Sequence, residues 1–113
     1  MTEQQQKKSA PTYVIFDVDI LDLAQYQEFM IRVKPALEAA GGKYLARGGE
    51  QNVHEGDWQP RRIVLLEFPS NAAWESFYHG NVYQGLKAIR DRCSSARLVS
   101  VQGLEVAAVN RGP

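Results

Sequence analysis

Residues 13–20 alternate between two kinds of side chain, and this period of two predicts a β-strand. The strand has two rows, with Val14, Phe16, Val18 and Ile20 on one face and Tyr13, Ile15, Asp17 and Asp19 on the other. The first row is wholly apolar. It therefore predicts the face that packs into a core.

The spacing then changes to that of an amphipathic helix. Its apolar stripe consists of Leu23, Tyr26, Met30, Val33 and Leu37. Asp22 is placed to cap the helix with Gln25 as its capping-box partner, and Gly41 and Gly42 supply a stop. Pro35 removes one backbone donor, and because the stripe continues beyond it, we expect a kink rather than an end.

Two further strands are predicted at residues 43–53 and 61–68, joined by a turn at residues 55–58. Gly48 and Gly49 interrupt the first of these strands, a pattern typical of a bulge or of a close backbone approach. The other strand is apolar on both of its faces.

A second helix is predicted after Ser70, which can cap it. Its buried side carries Trp74, Phe77 and Tyr78. Gly80 breaks this helix and Asn81 can cap a continuation, before a last strand at residues 97–101. The order β-α-β-β-α-β, with two right-handed crossovers, predicts an α+β fold: a ferredoxin-like sandwich with an antiparallel sheet whose first and third strands are central.

One domain accounts for most of the chain. At 113 residues the sequence fits a single domain and is too short for two ordinary ones. We expect a disordered leader at residues 1–11, the domain at residues 12–105 and a frayed tail at residues 106–113.

Composition and charge exclude several classes of protein. Thirteen basic and 13 acidic residues give zero net charge, whereas a nucleic-acid partner requires a basic surplus. A single cysteine, Cys93, excludes an internal disulfide and a multi-cysteine metal site, and we predict no metal and no cofactor. No apolar run approaches the ~20 residues that span a bilayer, and the first residues lack the apolar stretch of a signal peptide. We therefore expect a cytoplasmic protein with no membrane partner.

The sheet predicts a homodimer. Both helices of this fold cover the same face, yet the other face keeps large apolar side chains, namely Tyr13, Ile15, Ile63 and Leu65. Such a patch usually marks an interface, and a twofold dimer with sheet facing sheet covers it, with Trp58 as an interface anchor. The alternatives are a monomer that tolerates an exposed patch and a cover formed by the chain after Leu104.

Three stretches of the chain carry a family pattern. Residues 41–49 hold a glycine pair, an arginine and a second glycine pair, while residues 55–62 run into residues 66–70 as a hairpin and strand. The second helix adds Phe77, Tyr78, Tyr83, Gln84 and Arg90. Together these stretches resemble the family known as domain of unknown function 1330, within the dimeric α+β barrel superfamily.

The resemblance implies the fold and the dimer but no reaction, because the family has none assigned. Its superfamily relatives include small monooxygenases, isomerases and haem proteins, and a shared fold does not transfer chemistry. Gly80-Asn81-Val82 stands where the family commonly has Ser-Pro-Glu, so no role of that glutamate is carried over.

Arg47 is the first candidate for ligand binding. By strand alternation it shares a face with Lys43 and Leu45, and the glycines after it allow close approach. Its planar guanidinium can bind a carboxylate through two parallel hydrogen bonds. The alternative is an internal ion pair with Asp17, Asp19 or Glu67.

Tyr83 and Arg90 lie seven residues apart, two turns along one helical face. With Arg47 they predict an anion-binding pocket between the sheet and the second helix, with Tyr44 as an aromatic wall and His79 at the mouth. The alternatives are a packed Tyr83 beside a solvated Arg90, a core tyrosine at Tyr44 and an ordinary surface histidine at His79.

Two function classes remain. One is a small-molecule site in each subunit of the homodimer, for a small, partly apolar carboxylate or enolate. If that site is an active site, cofactor-independent chemistry at a carbonyl is the natural class. The other is a binding or interaction module without turnover, in which the same residues only pack. The sequence does not decide whether the protein is an enzyme.

Overall fold

Four strands and three helices succeed one another along residues 10–105, the part of the chain that the computed structural model describes. In chain order they are β1 (Thr12–Ile20), α1 (Leu23–Ala39), β2 (Lys43–Arg47), β3 (Ile63–Phe68), α2 (Asn71–His79), α3 (Asn81–Cys93) and β4 (Ser94–Gln102). The sheet has the order β2-β3-β1-β4 with every neighbouring pair antiparallel. The predicted ferredoxin-like α+β fold with central first and third strands is confirmed. The expected tail, and all of the expected leader except its last two residues, lie outside the described residues.

Side chains fix the start of two helices as predicted. Asp22 Oδ1 accepts a hydrogen bond from the Gln25 amide at 3.2 Å, and Ser70 Oγ accepts one from the Ala73 amide at 3.1 Å. The third start differs from the prediction, because Gly80 occupies the cap position of α3 and no side chain caps that helix. A Cβ on Gly80 would lie 2.9 Å from the Ser76 carbonyl oxygen, so this close turn favours glycine.

The second strand is shorter than predicted. β2 ends at Arg47, and Gly48 has a φ of 69°, a left-handed conformation that favours glycine and turns the chain away from the strand. The Gly48 amide donates to the Ile63 carbonyl at 3.0 Å, which is the last backbone link to β3. Residues 48–62 therefore form an irregular loop, so the predicted extension of this strand to residue 53 is wrong, whereas the predicted antiparallel pairing of the second and third strands is confirmed.

The core lies between the helices and one face of the sheet. Alternation along the two central strands places six buried side chains on this face, namely Val14, Phe16, Val18, Val64, Leu66 and Phe68. The helices bury Tyr26, Phe29, Val33, Leu37, Trp74 and Tyr83 against them. The predicted inward row of β1 is confirmed for its first three members, while Ile20 is only partly buried. The opposite side of the sheet is called the open face below.

Asp17 ties the long loop to the open face. Its carboxylate accepts hydrogen bonds from the Arg61 amide at 2.9 Å, from Trp58 Nε1 at 3.1 Å and from Arg97 at 3.3 Å. Burial alone raises the pKa of Asp17, but these hydrogen bonds outweigh that effect and the net pKa is lowered. Trp58 accordingly lies against the sheet, half-exposed, rather than at the tip of a hairpin.

We predict that Asp17→Asn lowers the free energy of unfolding by about 1.5–3 kcal/mol at neutral pH, because hydrogen bonds to a charged acceptor are lost. Because the pKa of Asp17 is lower in the folded state, its contribution to stability is fully present above the unfolded-state pKa of ~3.9. The contribution is lost as the pH falls through the folded-state pKa. Urea denaturation followed by tryptophan fluorescence at several pH values measures it. Asp19→Asn is the control, since Asp19 is 3.8 Å from an exposed Arg61 side chain and should cost under ~1 kcal/mol. Equal losses in both variants would contradict the assignment.

Candidate functional site

A cavity of about 40 Å³ lies between the sheet and the helices. This is several times the ~10–15 Å³ that one water requires by the same measure. It is lined by Phe16, Tyr26, Phe29, Met30, Val33, Leu37, Tyr44, Arg47, Val64, Leu66, Phe77, Tyr83 and Arg90. The wall is thus largely apolar, with three phenols and two guanidinium groups as its polar members.

A β-bulge in β2 brings two candidates to this cavity. The pairing with β3 runs Tyr44 to Leu66 and Arg47 to Val64, with a shift in register between Tyr44 and Ala46. Because the bulge inserts one residue, Tyr44 and Arg47 face the same side of the sheet, whereas strict alternation would separate them. The predicted grouping of Arg47 with Lys43 and Leu45 is therefore wrong. Arg47 Cζ lies 4.5 Å from the centroid of the Tyr44 ring, a cation–π contact.

Arg90 and Tyr83 form the buried polar pair of the wall. Arg90 Nη1 donates to Tyr83 Oη at 2.6 Å, and both residues are only 3% exposed. Arg90 Nη2 lies 3.4 Å from the carboxylate of Asp91, whose side chain is half-exposed. Arg90 Nε is buried and has no hydrogen-bond partner among the described residues. The alternative of a solvated Arg90 is wrong, because α3 turns this arginine toward the sheet.

Burial keeps the phenols of Tyr83 and Tyr26 protonated. It raises the pKa of Tyr83 to about 12, with the positive charge of Arg90 acting in the opposite direction. Burial also raises the pKa of Tyr26, again against the charge of a nearby arginine, Arg62. At neutral pH these groups are therefore uncharged and able to donate hydrogen bonds.

Arg47 has no acidic partner among residues 10–105, where no carboxylate lies within 4 Å of its guanidinium. The alternative pairing with Asp17 or Asp19 is wrong, because these carboxylates lie on the open face. There they pair with Arg97 at 3.3 Å and Arg61 at 3.8 Å.

Arg62 is a neighbour of the site that the sequence analysis missed. Its Cζ lies 5.8 Å from the Tyr26 ring centroid, and its Nη2 lies 3.6 Å from Met30 Sδ. Its buried Nε has no partner among the described residues, and a Cβ on Gly48 would collide with its guanidinium. The sequence feature that could have identified Arg62 is its position two residues before Val64, because strand alternation then places both side chains on the helix side of the sheet.

His79 lies outside the cavity. Its Nε2 is 3.1 Å from Glu75 Oε1, and 68% of its side chain is exposed near the end of α2. The structure therefore gives His79 an ion-pair position on the surface, and no imidazole belongs to the described residues that line the cavity. In the described part of the chain, no three His, Cys, Asp or Glu side chains are grouped so as to hold a metal ion.

The comparisons with known proteins identify the family. The model of the domain of unknown function DUF1330 matches residues 11–104, so the chain belongs to this family and the resemblance found in the sequence is confirmed. A comparison with curated proteins finds no match. Within residues 10–105, no helix is long and apolar enough to cross a membrane.

Several solved structures share the fold. RPA0582, a protein of unknown function from Rhodopseudomonas palustris, is 18% identical, with a TM-score of 0.67 over 89% of this chain and 88% of that one. The structure of methylated RPA0582 has a TM-score of 0.69 at the same 18% identity, and the match covers 89% of this chain and 86% of that one. SnoaB, a cofactor-independent oxygenase from Streptomyces nogalater, is 9% identical, with a TM-score of 0.55 over 84% and 92%. At these identities the similarity shows the fold alone.

The double variant Arg90→Met with Tyr83→Phe tests whether the buried pair serves stability. Replacing a buried charge and its partner by apolar groups is often neutral or stabilising by ~1–4 kcal/mol. We therefore predict a free energy of unfolding equal to or above that of the wild type, measured by urea denaturation. Arg92→Met, at an exposed position of the same helix, is the control and should change stability by under ~0.5 kcal/mol. A loss of more than ~3 kcal/mol in the double variant would assign the pair to the scaffold.

Proposed function

We propose that the protein binds a small, partly apolar carboxylate or enolate in the cavity of each subunit of a homodimer. The observation that supports this most is the buried Arg90 guanidinium in the cavity wall, with an Nε that has no partner among the described residues. A buried ion costs several kcal/mol when it is not compensated, and the half-exposed Asp91 at 3.4 Å compensates it only from one side. An anion in the cavity would complete that compensation.

The rest of the wall fits the same ligand class. Arg47 supplies a second guanidinium from the edge strand, and Tyr83 and Tyr44 present phenol rings. The remaining lining is aliphatic or aromatic, which favours an apolar body on the ligand. The volume of about 40 Å³ limits that body to a small molecule.

We predict that small aromatic and aliphatic carboxylates raise the melting temperature of the wild type in a thermal-shift screen. A ligand at 100 times its Kd stabilises the folded state by about 2.7 kcal/mol. Arg47→Ala and Tyr83→Phe should reduce this stabilisation, because each removes a polar group of the wall. Arg92→Ala and Tyr78→Phe, whose side chains do not line the cavity, should keep it. If no carboxylate stabilises the wild type more than Arg47→Ala and Tyr83→Phe, the proposal fails.

The open face supports the homodimer. Ile15 pairs with Leu65 on one side and with Val99 on the other, so an apolar row crosses three strands. The next row pairs Tyr13 with Val101. Val99 and Val101 are more than half-exposed, and neither was included in the face predicted from sequence. Ile63 and Trp58 extend the apolar area toward the loop.

The polar residues of this face lie at its two ends. Lys43 and Glu67 are cross-strand partners at one end, and Asp17 and Arg97 form an ion pair at the other. An apolar centre with a polar rim is typical of a protein interface. Burying four large side chains contributes up to ~6–12 kcal/mol, enough to offset much of the estimated ~4–15 kcal/mol cost of association. A second copy of the chain, related by a twofold axis, is the occupant that we propose.

We predict that the wild type sediments as a dimer at micromolar concentration and that Val99→Lys sediments as a monomer. A charge at the centre of the buried row would be desolvated without a partner. Ile31→Lys, on an exposed position of α1, is the control and should remain dimeric. Sedimentation velocity measures all three. A wild type that sediments at 12.7 kDa would overturn the dimer and leave the two alternatives, an exposed patch or a cover formed by the chain after Leu104.

A further inference from the structure

We infer that the cavity takes its ligand already ionised and exchanges no proton with it, so that its ligands are small, flat oxyanions that exist in water near neutral pH. This inference rests on the proposed function and deepens it. Within the general class of small carboxylates and enolates, it specifies the ionisation state and the shape of the ligands that the wall accepts.

The titratable groups around Arg90 come from several elements. From its own helix these are Tyr83, Asp91 and Cys93, whose thiol lies 3.6 Å from the Arg90 carbonyl oxygen and does not line the cavity. From α1 the nearest is Tyr26. The edge strand β2 supplies Tyr44 and Arg47. The wall residues from β1, β3 and α2 carry no titratable group. Asp91 does not line the cavity. Its carboxylate lies 2.7 Å from the Lys87 ammonium, with which it forms an ion pair along the helix.

The wall therefore lacks a proton acceptor. Among the described residues that line it there is no carboxylate, imidazole, amine or thiol. Proton uptake would fall to a guanidinium, which is already charged, or to a neutral phenol, which is a negligible base. The raised pKa of Tyr83 and Tyr26 keeps both phenols in that neutral form.

The free hydrogen-bonding positions of the buried pair are donors. Tyr83 Oη already accepts from Arg90 Nη1, so its O–H is left to donate, and Arg90 Nε–H has no partner in the described part of the chain. Two donors beside a positive charge favour an acceptor oxygen with a negative charge over a neutral hydroxyl. A neutral acid would need to lose its proton to water before binding, because the wall cannot take it.

The apolar part of the wall gives the ligand its shape. Its aromatic members are Phe16, Tyr26, Phe29, Tyr44, Phe77 and Tyr83. Phe77 and Tyr83 pack with ring centroids 4.9 Å apart, and the Arg90 guanidinium lies 5.6 Å from the Phe16 ring. These rings pack on one another at tilted angles and form an apolar wall along which a flat ligand can lie, and the cavity volume of about 40 Å³ keeps that ligand small.

Two matched pairs of compounds test the inference. 4-Nitrophenol ionises near neutral pH and absorbs visible light only as the phenolate, whereas 4-nitroanisole has the same shape and cannot ionise. Benzoate and benzamide form the second pair. Titration calorimetry on the full chain should show that the ionised member binds at least about tenfold more tightly, and the absorbance of bound nitrophenol should show an ionisation midpoint lowered by about one pH unit.

Variants assign the effect to the wall. Arg90→Met should abolish the lowered midpoint, and Arg47→Met, at a more exposed position, provides a second test if Arg90→Met does not fold. In Tyr83→Phe the affinity should fall and the midpoint should return part of the way toward that of the free dye, since one hydrogen-bond donor to the phenolate is lost while the charge of Arg90 remains. Arg92→Met should leave affinity and midpoint as in the wild type.

The possible outcomes separate the two proposals. If a neutral member binds as tightly as its ionised partner, or if bound nitrophenol is protonated, the inference is overturned while a small-molecule pocket remains. If none of the four compounds binds while small aliphatic carboxylates still stabilise the wild type in the thermal-shift screen, the inference is overturned and the proposed function remains. If no carboxylate binds in either experiment, the proposed function itself fails.

Discussion

The hydrogen bond between Arg90 and Tyr83 is the constraint on which the rest of the site depends. A guanidinium that is 97% buried keeps its charge, because arginine cannot be deprotonated in proteins, so the surroundings must accommodate it. Tyr83 accepts one of its donors at 2.6 Å and the Phe16 ring lies beside it. The same burial that brings these groups together raises the pKa of Tyr83 to about 12. Charge, hydrogen bonding and protonation of the wall thus have one origin in the packing of α3 against the sheet.

The edge of the sheet supplies the second half of the site through an irregularity rather than through regular pairing. A bulge between Tyr44 and Ala46 turns Arg47 to the helix side, and the positive φ of Gly48 then takes the chain away from the sheet. Without the inserted residue, Arg47 would face the open side of the sheet with Lys43. A local change of register therefore decides whether this arginine belongs to the cavity or to the proposed dimer surface.

The sequence predicts the fold well because its elements depend on local signals. Alternation in β1, the caps Asp22 and Ser70, and the break at Gly80 each act within a few residues. The seven-residue spacing of Tyr83 and Arg90 likewise predicts their contact, since helical geometry fixes it. The loop at residues 48–62 and the partners of Arg47 could not be predicted in this way. They depend on a bulge and on a contact between Asp17 and Trp58, 41 residues apart, which no local pattern encodes.

The adjacent residues Arg61 and Arg62 connect the two sides of the sheet. The Arg61 amide binds Asp17 on the open face, while the Arg62 side chain lies over Tyr26 on the helix side. The Arg62 carbonyl accepts from the Val18 amide at 2.9 Å, so this dipeptide is fixed to the central strand between them. A displacement of its backbone moves both contacts together. The open face and the helix side of the sheet are therefore linked through a single peptide unit, which joins the surface proposed for the dimer to the neighbourhood of the proposed ligand cavity.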